Sequence, residues 1–317
     1  MEQKYKIMAY ITAYEDEQAV LKCIQSLENQ SYPIHKILVI DNSKIPTDSL
    51  LSLRNLKNNL IIEFYPENIG ISGGLSIGIQ QAINEEFDFL WTFDQDSETN
   101  IDTLEKLLYF YDLLTQANEN VGIIAPLPVD KITGNEWGGI VFDKYKFSEV
   151  CHREKKEEFY ECDAVITSGS LINLKAAQIV PPLNKGFFID AVDWEYCMKF
   201  RECGYKIFVI KSSTLNHRFG DSYTVPAPMI FRRPHFTIYN YSALRCYYMF
   251  RNHTFVETRL ALKSGYILIS IIYRLKGLTR IIIKIIIYEK QSMFIKIWAC
   301  IKGTLDGFMG KLGKNWN

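Results

Sequence analysis

Phe87-Asp88-Phe89-Leu90-Trp91-Thr92-Phe93-Asp94-Gln95-Asp96-Ser97 is the stretch on which the reading of this chain turns. The apolar positions Phe87, Phe89, Leu90, Trp91 and Phe93 predict a buried strand. Asp94 and Asp96 then stand one residue apart where that strand emerges. Such a pair can hold a divalent cation and, through it, a diphosphate, because hard oxygen ligands suit Mg²⁺ or Mn²⁺. The same residues also fit a solvated turn in which Asp96 or Ser97 caps the next helix.

Upstream of this stretch, strand-like and helix-like runs alternate, the pattern of a parallel sheet covered by helices. Residues 7–12 read as a first strand. Val20, Cys23, Ile24 and Leu27 recur at helical spacing behind Asp16, whose charge suits a helix start. Residues 37–40 form a second strand ending in Asp41-Asn42, residues 60–64 a third, and residues 70–83 a helix of small residues. Ligands of open α/β sheets bind at the carboxyl ends of strands, so Thr12, Asp41 and Asp94 are expected to converge on one crevice. Downstream, residues 121–126 and 164–166 read as strands, residues 192–203 as a helix closed by Gly204, and residues 206–210 as a further strand. Pro226, Pro228 and Pro234 interrupt the chain after Asp221. The expected organisation is a catalytic domain over 1–225, with halves of about 1–100 and 101–225, followed by a helical region over 226–317.

The 317 residues, 48 % of them hydrophobic, suffice for a sizeable core. Lys plus Arg equals Asp plus Glu at 36 each, so overall charge gives no reason to expect nucleic acid. Seven cysteines without paired spacing, and no N-terminal signal peptide, point to a reducing cytoplasm. No Cys/His cluster has the spacing of a structural zinc site.

Two further features carry chemistry. Asp190, Asp193 and Glu195 lie around a predicted helix start, where one carboxylate could accept a proton or the acids could simply complement the helix dipole. His217 follows a strand, a position that suits a metal ligand or a structural imidazole. In this order the elements resemble the inverting glycosyltransferases of family 2, which have the GT-A fold, and within them bacterial rhamnosyltransferases and their galactofuranosyltransferase relatives. Ile11-Thr12-Ala13-Tyr14 resembles the family's nucleotide-binding first strand, and Asp41-Asn42-Ser43 the loop beside the base. Asn68-Ile69-Gly70-Ile71-Ser72-Gly73-Gly74 is similar to the segment that approaches the sugar nucleotide. Asp94-Gln95-Asp96-Ser97 resembles the metal motif, and Arg245-Cys246-Tyr247-Tyr248-Met249-Phe250-Arg251-Asn252 a stretch of the rhamnosyltransferase subgroup.

The resemblance implies an α/β GT-A fold, a Rossmann-like mixed sheet flanked by helices with a helical C-terminal appendage. It implies Asp193 as catalytic base, and Thr12, Tyr14, Asp41, Asn68, Gly70, Gly73, Asp94 and Gln95 at the donor. Asp94, Asp96 and His217 would hold Mg²⁺ or Mn²⁺, with Asp96 the direct ligand and Asp94 nearer the ribose. Ser168, Gly169, Asp190 and Trp194 fall on the acceptor side. Two departures stand out: Val192 precedes Asp193 where many members carry Glu, and Glu15 replaces a common asparagine. The Gln-x-x-Arg-Trp motif of processive synthases is absent, which implies one sugar per binding event.

The tail from Lys263 holds ten basic residues against Glu289 and Asp306 alone, and its longest uncharged stretch, residues 264–273, is too short to span a bilayer. Lys276, Arg280 and Lys284 share a helical face beside many isoleucines. This predicts association of residues 260–300 with an anionic membrane surface, or burial in a homo-oligomer. The combined expectation is an enzyme at the inner face of the plasma membrane. It would move L-rhamnose from dTDP-rhamnose to a saccharide or lipid-linked acceptor in bacterial cell-surface polysaccharide synthesis. The alternatives are a galactofuranosyl or other hexosyl transferase using a UDP-sugar, and a non-catalytic nucleotide-sugar or partner-binding module.

Overall fold

The computed structural model describes residues 4–46, 50, 52, 57–154, 156–220, 222–226, 235–289 and 292–316. Pro228, Pro234 and Asp221 lie outside the described residues. The chain folds as two compact units, one of Met1–Val129, Asn135–Asp143 and Phe147–His217, the other of Asp130–Gly134, Lys144–Lys146 and Arg218–Asn317.

The first unit is built on β1 (Ile7–Ala13), α1 (Glu17–Glu28), β2 (Lys36–Asp41), β3 (Leu60–Phe64), α2 (Gly70–Asn84) and β4 (Phe89–Asp94). It continues through β5 (Glu98–Thr99), α3 (Thr103–Gln116), β6 (Val121–Asp130), β7 (Ile140–Asp143), β8 (Lys146–Glu149) and β9 (Phe159–Cys162). β10 (Leu171–Asn173), α4 (Leu174–Ala177), α5 (Val192–Glu202) and β11 (Lys206–His217) complete it. The main sheet runs β3-β2-β1-β4-β10-β6-β11-β5, with β9 paired to β11, while β7 and β8 form a hairpin. β1, β2, β3 and β4 are parallel, and β10 inserts antiparallel beside β4, so the sheet is mixed. The fold is that of the expected GT-A class, a large central sheet flanked by helices with a helical C-terminal region.

The local chemistry explains the elements. β1 and β4 are buried on both faces, which is why they read as continuous apolar runs. Asp16 caps α1 by accepting from the Ala19 N–H at 3.1 Å, and Val20, Cys23, Ile24 and Leu27 turn its apolar face to the sheet. Helix α2 can lie close to β1 because Gly74 faces Tyr10: a Cβ there would come within 2.5 Å of the Tyr10 hydroxyl. Register then sets the working edge. Thr12 pairs with Asp94 on one side and Ala13 with Asp41 on the other, so three strands end at one level.

Several elements differ from the sequence reading. Residues 164–166 form no strand; Ala164 makes a single bridge to Ile140, and the chain turns through Gly169 at φ +84° before β10. Helix α3 is additional. β11 runs on past Ile210 to His217, because its last residues find a partner in β5, with Leu215 opposite Thr99 and Asn216 opposite Glu98.

The second unit holds the strand pair β12 (Ser222–Pro226) and β13 (His235–Tyr239) and the helices α6 (Ala243–Lys263), α7 (Ile267–Tyr288) and α8 (Met293–Met309). The segment that resembles the rhamnosyltransferase subgroup lies on α6 and is buried except at Arg245, which is exposed, and Met249, which is half-buried. The Arg251 guanidinium stacks 4.7 Å from the Tyr248 ring, donates to Asn252 Oδ1 at 2.7 Å and reaches the Gly313 carbonyl. Tyr247 donates to Asp306 Oδ2 of α8 at 2.7 Å. These groups tie α6 to α8 and the C-terminal segment, so in this molecule the segment does structural work.

Candidate active site

The carboxyl edge of β4 delivers Asp94, and the loop behind it is stitched in place by backbone and side chains. Gln95 folds back rather than outward: its Oε1 accepts from the Tyr14 N–H at 2.6 Å and its Nε2 donates to the Tyr14 carbonyl at 3.0 Å. Thus Gln95 clips the end of β1 to the start of the acidic loop. The segment 167–170 is sewn along β4, with the Gly169 N–H donating to the Thr92 carbonyl at 2.7 Å and the Trp91 indole donating to the Gly169 carbonyl at 2.9 Å. This places the Ser168 hydroxyl beneath Asp94, accepting from its N–H at 3.2 Å, in a buried position.

His217 arrives from the far end of the sheet because β11 pairs with β5, the strand directly after the acidic loop. Its Nδ1 lies 3.2 Å from Asp96 Oδ1 and 2.8 Å from Ser97 Oγ, and its Nε2 lies 3.9 Å from Asp94 Oδ2. Ser97 in turn contacts Ser168 Oγ at 2.5 Å. The buried row Ser168, Ser97, His217 fixes the imidazole so that Nδ1 is engaged and Nε2 faces Asp94. Among the described residues no group of three or more His, Cys, Asp or Glu side chains is arranged so that it could hold a metal ion. Asp94, Asp96 and His217 offer oxygen and imidazole donors of the kinds that a divalent cation takes, and such a cation fills its remaining positions with water and phosphate.

Asp193 sits in the first turn of α5, half-buried. Its Oδ1 accepts from the Trp194 N–H at 2.9 Å and its Oδ2 from the Thr167 N–H at 3.2 Å. Burial of the carboxyl group pushes its pKa up to about 7, the charges of Asp94 and Asp190 push the same way, and the two backbone donors oppose them. A carboxylate that titrates near neutrality is suited to accept a proton at physiological pH. Asp190 does not share a helical face with it, because Asp190 and Ala191 are both left-handed, at φ +59° and +56°, and precede the helix. Trp194 packs its ring against Phe147, with centroids 4.7 Å apart.

The donor-side residues divide. Tyr14 is exposed and, with Asp41, Lys44 and Ile45, lines a cleft of ≈ 470 Å³ beside the ends of β1 and β2. Asp41 itself is buried and accepts from the Ser43 N–H at 2.9 Å. Thr12 is half-buried, with its hydroxyl 2.8 Å from that of Tyr10. Asn68, at φ +51°, accepts from the Gly70 N–H at 3.0 Å, while Gly73 lies within α2, packed on Ile69. Gly70, at φ +71°, is a position only glycine fills: a Cβ would come within 2.5 Å of the Phe188 carbonyl and ring.

Sequence reasoning passed over Ser72 and gave Ser97 only a capping or motif role. Ser72 donates to the Lys185 carbonyl and accepts from the Phe188 N–H, both at 3.0 Å, so it binds the start of α2 to the segment leading into Asp190 and Asp193. Nothing in its local sequence signals this, since the partner lies over a hundred residues away. Ser97 was recoverable from its place beside the acidic pair.

Residues 9–156 match the glycosyl transferase family 2 model. Those residues are a family 2 glycosyltransferase domain. The dTDP-rhamnosyl transferase RfbF of Shigella flexneri is 25 % identical over 246 residues, covering 78 % of this chain and 77 % of that protein. Among solved structures, residues 1–349 of S. aureus TarS superpose with a TM-score of 0.53 at 15 % identity, covering 95 % of this glycosyltransferase and 80 % of that chain. GalNAc-T7, solved with UDP, GalNAc and Mn²⁺, superposes with a TM-score of 0.55 at 16 % identity over 69 % of this chain, which spans 45 % of its length.

Proposed function

We propose that this glycosyltransferase is metal-dependent and inverting, and moves one L-rhamnose from dTDP-rhamnose to a saccharide or lipid-linked acceptor of a bacterial cell-surface polysaccharide. The observation that carries the reading is the pairing, on one sheet edge, of the Asp94, Asp96 and His217 cluster with a carboxylate at Asp193 that titrates near 7. Asp193 takes the proton from the acceptor hydroxyl. The freed oxygen forms its bond to the anomeric carbon as the bond from that carbon to the diphosphate oxygen breaks, and the electron pair leaves with the diphosphate. Attack from the face opposite the leaving group inverts the anomeric centre. Asp94, Asp96 and His217 would hold a divalent cation, whose charge would neutralise the charge that develops on the diphosphate.

Ser97 and Ser168 keep His217 oriented, and the Thr167 and Trp194 N–H groups aim Asp193. The nucleoside fits the cleft beside Tyr14 and Asp41. The named activity of the Shigella relative supports rhamnose as the sugar and deoxythymidine diphosphate as its carrier. The place of work is the cytoplasmic face of the plasma membrane, with residues 260–300 toward an anionic surface.

The test is transfer and hydrolysis with a panel of nucleotide sugars. Turnover of dTDP-rhamnose that chelator abolishes and Mg²⁺ or Mn²⁺ restores is expected. Preference for a UDP-hexose would overturn the donor, and chelator-resistant turnover would overturn the metal.

A further inference from the structure

The outward face of α7 is apolar where a surface helix is ordinarily polar. Leu268, Ile272 (66 % exposed), Leu275, Ile283, Ile286 and Ile287 all face solvent within one 22-residue helix. The helix has no acidic residue. Two of its four cations turn inward: Arg274 pairs with Glu257 at 3.3 Å, and Lys284 reaches the Tyr239 carbonyl at 3.2 Å and Glu289 at 3.8 Å. The other two, Lys276 and Arg280, are exposed on the flank of the apolar face and make no ion pair among the described residues. The corner where α7 meets α8 continues the pattern. Lys296 is buried in an ion pair with Glu289 at 2.8 Å, which sends Phe294 (81 % exposed) and Trp298, on the opposite side of α8, outward.

We infer that the outer face of α7, with Phe294 and Trp298 of α8, is a docking surface for an anionic lipid bilayer, lying in the interface with its isoleucines in the acyl boundary and Lys276 and Arg280 at the headgroups. An apolar stripe flanked by unpaired cations matches such a surface in both polarity and charge. A second copy matches it less well. In a two-fold dimer the patch meets itself, and cations without acidic partners would be brought together. Among the described residues no helix is long and apolar enough to cross a membrane, so the contact is peripheral. The inference deepens the membrane-surface part of the proposed function. It is tested without donor or acceptor, so its failure and failure of the transfer chemistry are separate results.

The experiment is flotation of the full chain with phosphatidylcholine vesicles and with vesicles about one third phosphatidylglycerol, at low and high salt, alongside sedimentation of the free protein. Binding confined to the anionic vesicles and weakened by salt is expected. The double variant Lys276→Gln, Arg280→Gln should bind about 30-fold more weakly, the effect of two fewer cations beside an anionic surface. Ile272→Ser with Ile283→Ser should weaken binding further while circular dichroism stays unchanged. Absence of flotation, equal flotation with both vesicle types, or a dimer that those serine substitutions dissociate without any vesicle binding would each overturn the inference.

Discussion

The carboxyl edge of β4 and the outer face of α7 break the same rule in opposite senses. At the first, ionisable side chains sit partly buried at the end of an apolar strand; at the second, isoleucines stand in solvent. Their supports differ accordingly. Asp193 is held by two backbone N–H groups and His217 by Ser97, so each polar group at the edge has a fixed direction. The exposed side chains of α7 need no such partners, because apolar contact is non-directional. On the proposed reading, the contrast separates a place for oriented chemistry from one for adhesion.

The sharpest way to test that contrast is to disarm the oriented edge. Asp193→Asn should lower kcat by about 10²–10⁴-fold, the range for losing a general base, with donor affinity measured by calorimetry unchanged. A variant that retains full transfer would end the assignment of the base. Next, apolar residues in the two regions should respond differently to truncation. Phe93→Ala, at a fully buried position on β4, should cost about 3–5 kcal/mol in denaturant unfolding. Ser97→Ala should leave the fold intact and weaken the metal dependence of turnover about 10–100-fold, as expected when a histidine ligand loses its orienting partner. The smallest effect belongs to Ile272→Ser, which should shift unfolding by no more than about 0.5 kcal/mol, since that side chain is already in water.

The same regions were unequally legible in the sequence. β1, β2, β3, α2 and β4 announce themselves, because parallel strands covered on both faces are continuous apolar runs and helices carry a 3.6 period. Their shared register put Thr12, Asp41 and Asp94 at one level. The arrival of His217 beside Asp96 was foreshadowed only by family resemblance. It depends on β5, a strand of two polar residues with no pattern to read, and on the continuation of β11 along it. The left-handed backbone at Asp190 and Ala191 was invisible for a similar reason. It follows directly on a segment held against Gly70 and Ser72, partners that lie far away in the sequence. Gln95 stood out as a donor contact by motif, yet its amide is spent on Tyr14, a use set by geometry across two strand ends.

Linkage adds a signature of the carboxyl edge. The folded-state pKa of Asp193 lies above its ordinary value, so the native state holds the proton more tightly than the unfolded chain. Stability from this group is therefore fully present below the ordinary carboxylate pKa and is lost progressively as pH rises from there through about 7. Asp193→Asn should raise the melting temperature more at pH well above that value than at pH below the ordinary carboxylate pKa.

The most direct measurement of the central claim is the pH dependence of kcat/KM for transfer from dTDP-rhamnose. Asp193 accepts a proton only when ionised, so log kcat/KM should climb with unit slope and level off above a pKa of about 7. The shoulder should vanish in the residual activity of Asp193→Asn. A profile that is flat from well below pH 7 upward, or a shoulder that persists in the variant, would contradict the account.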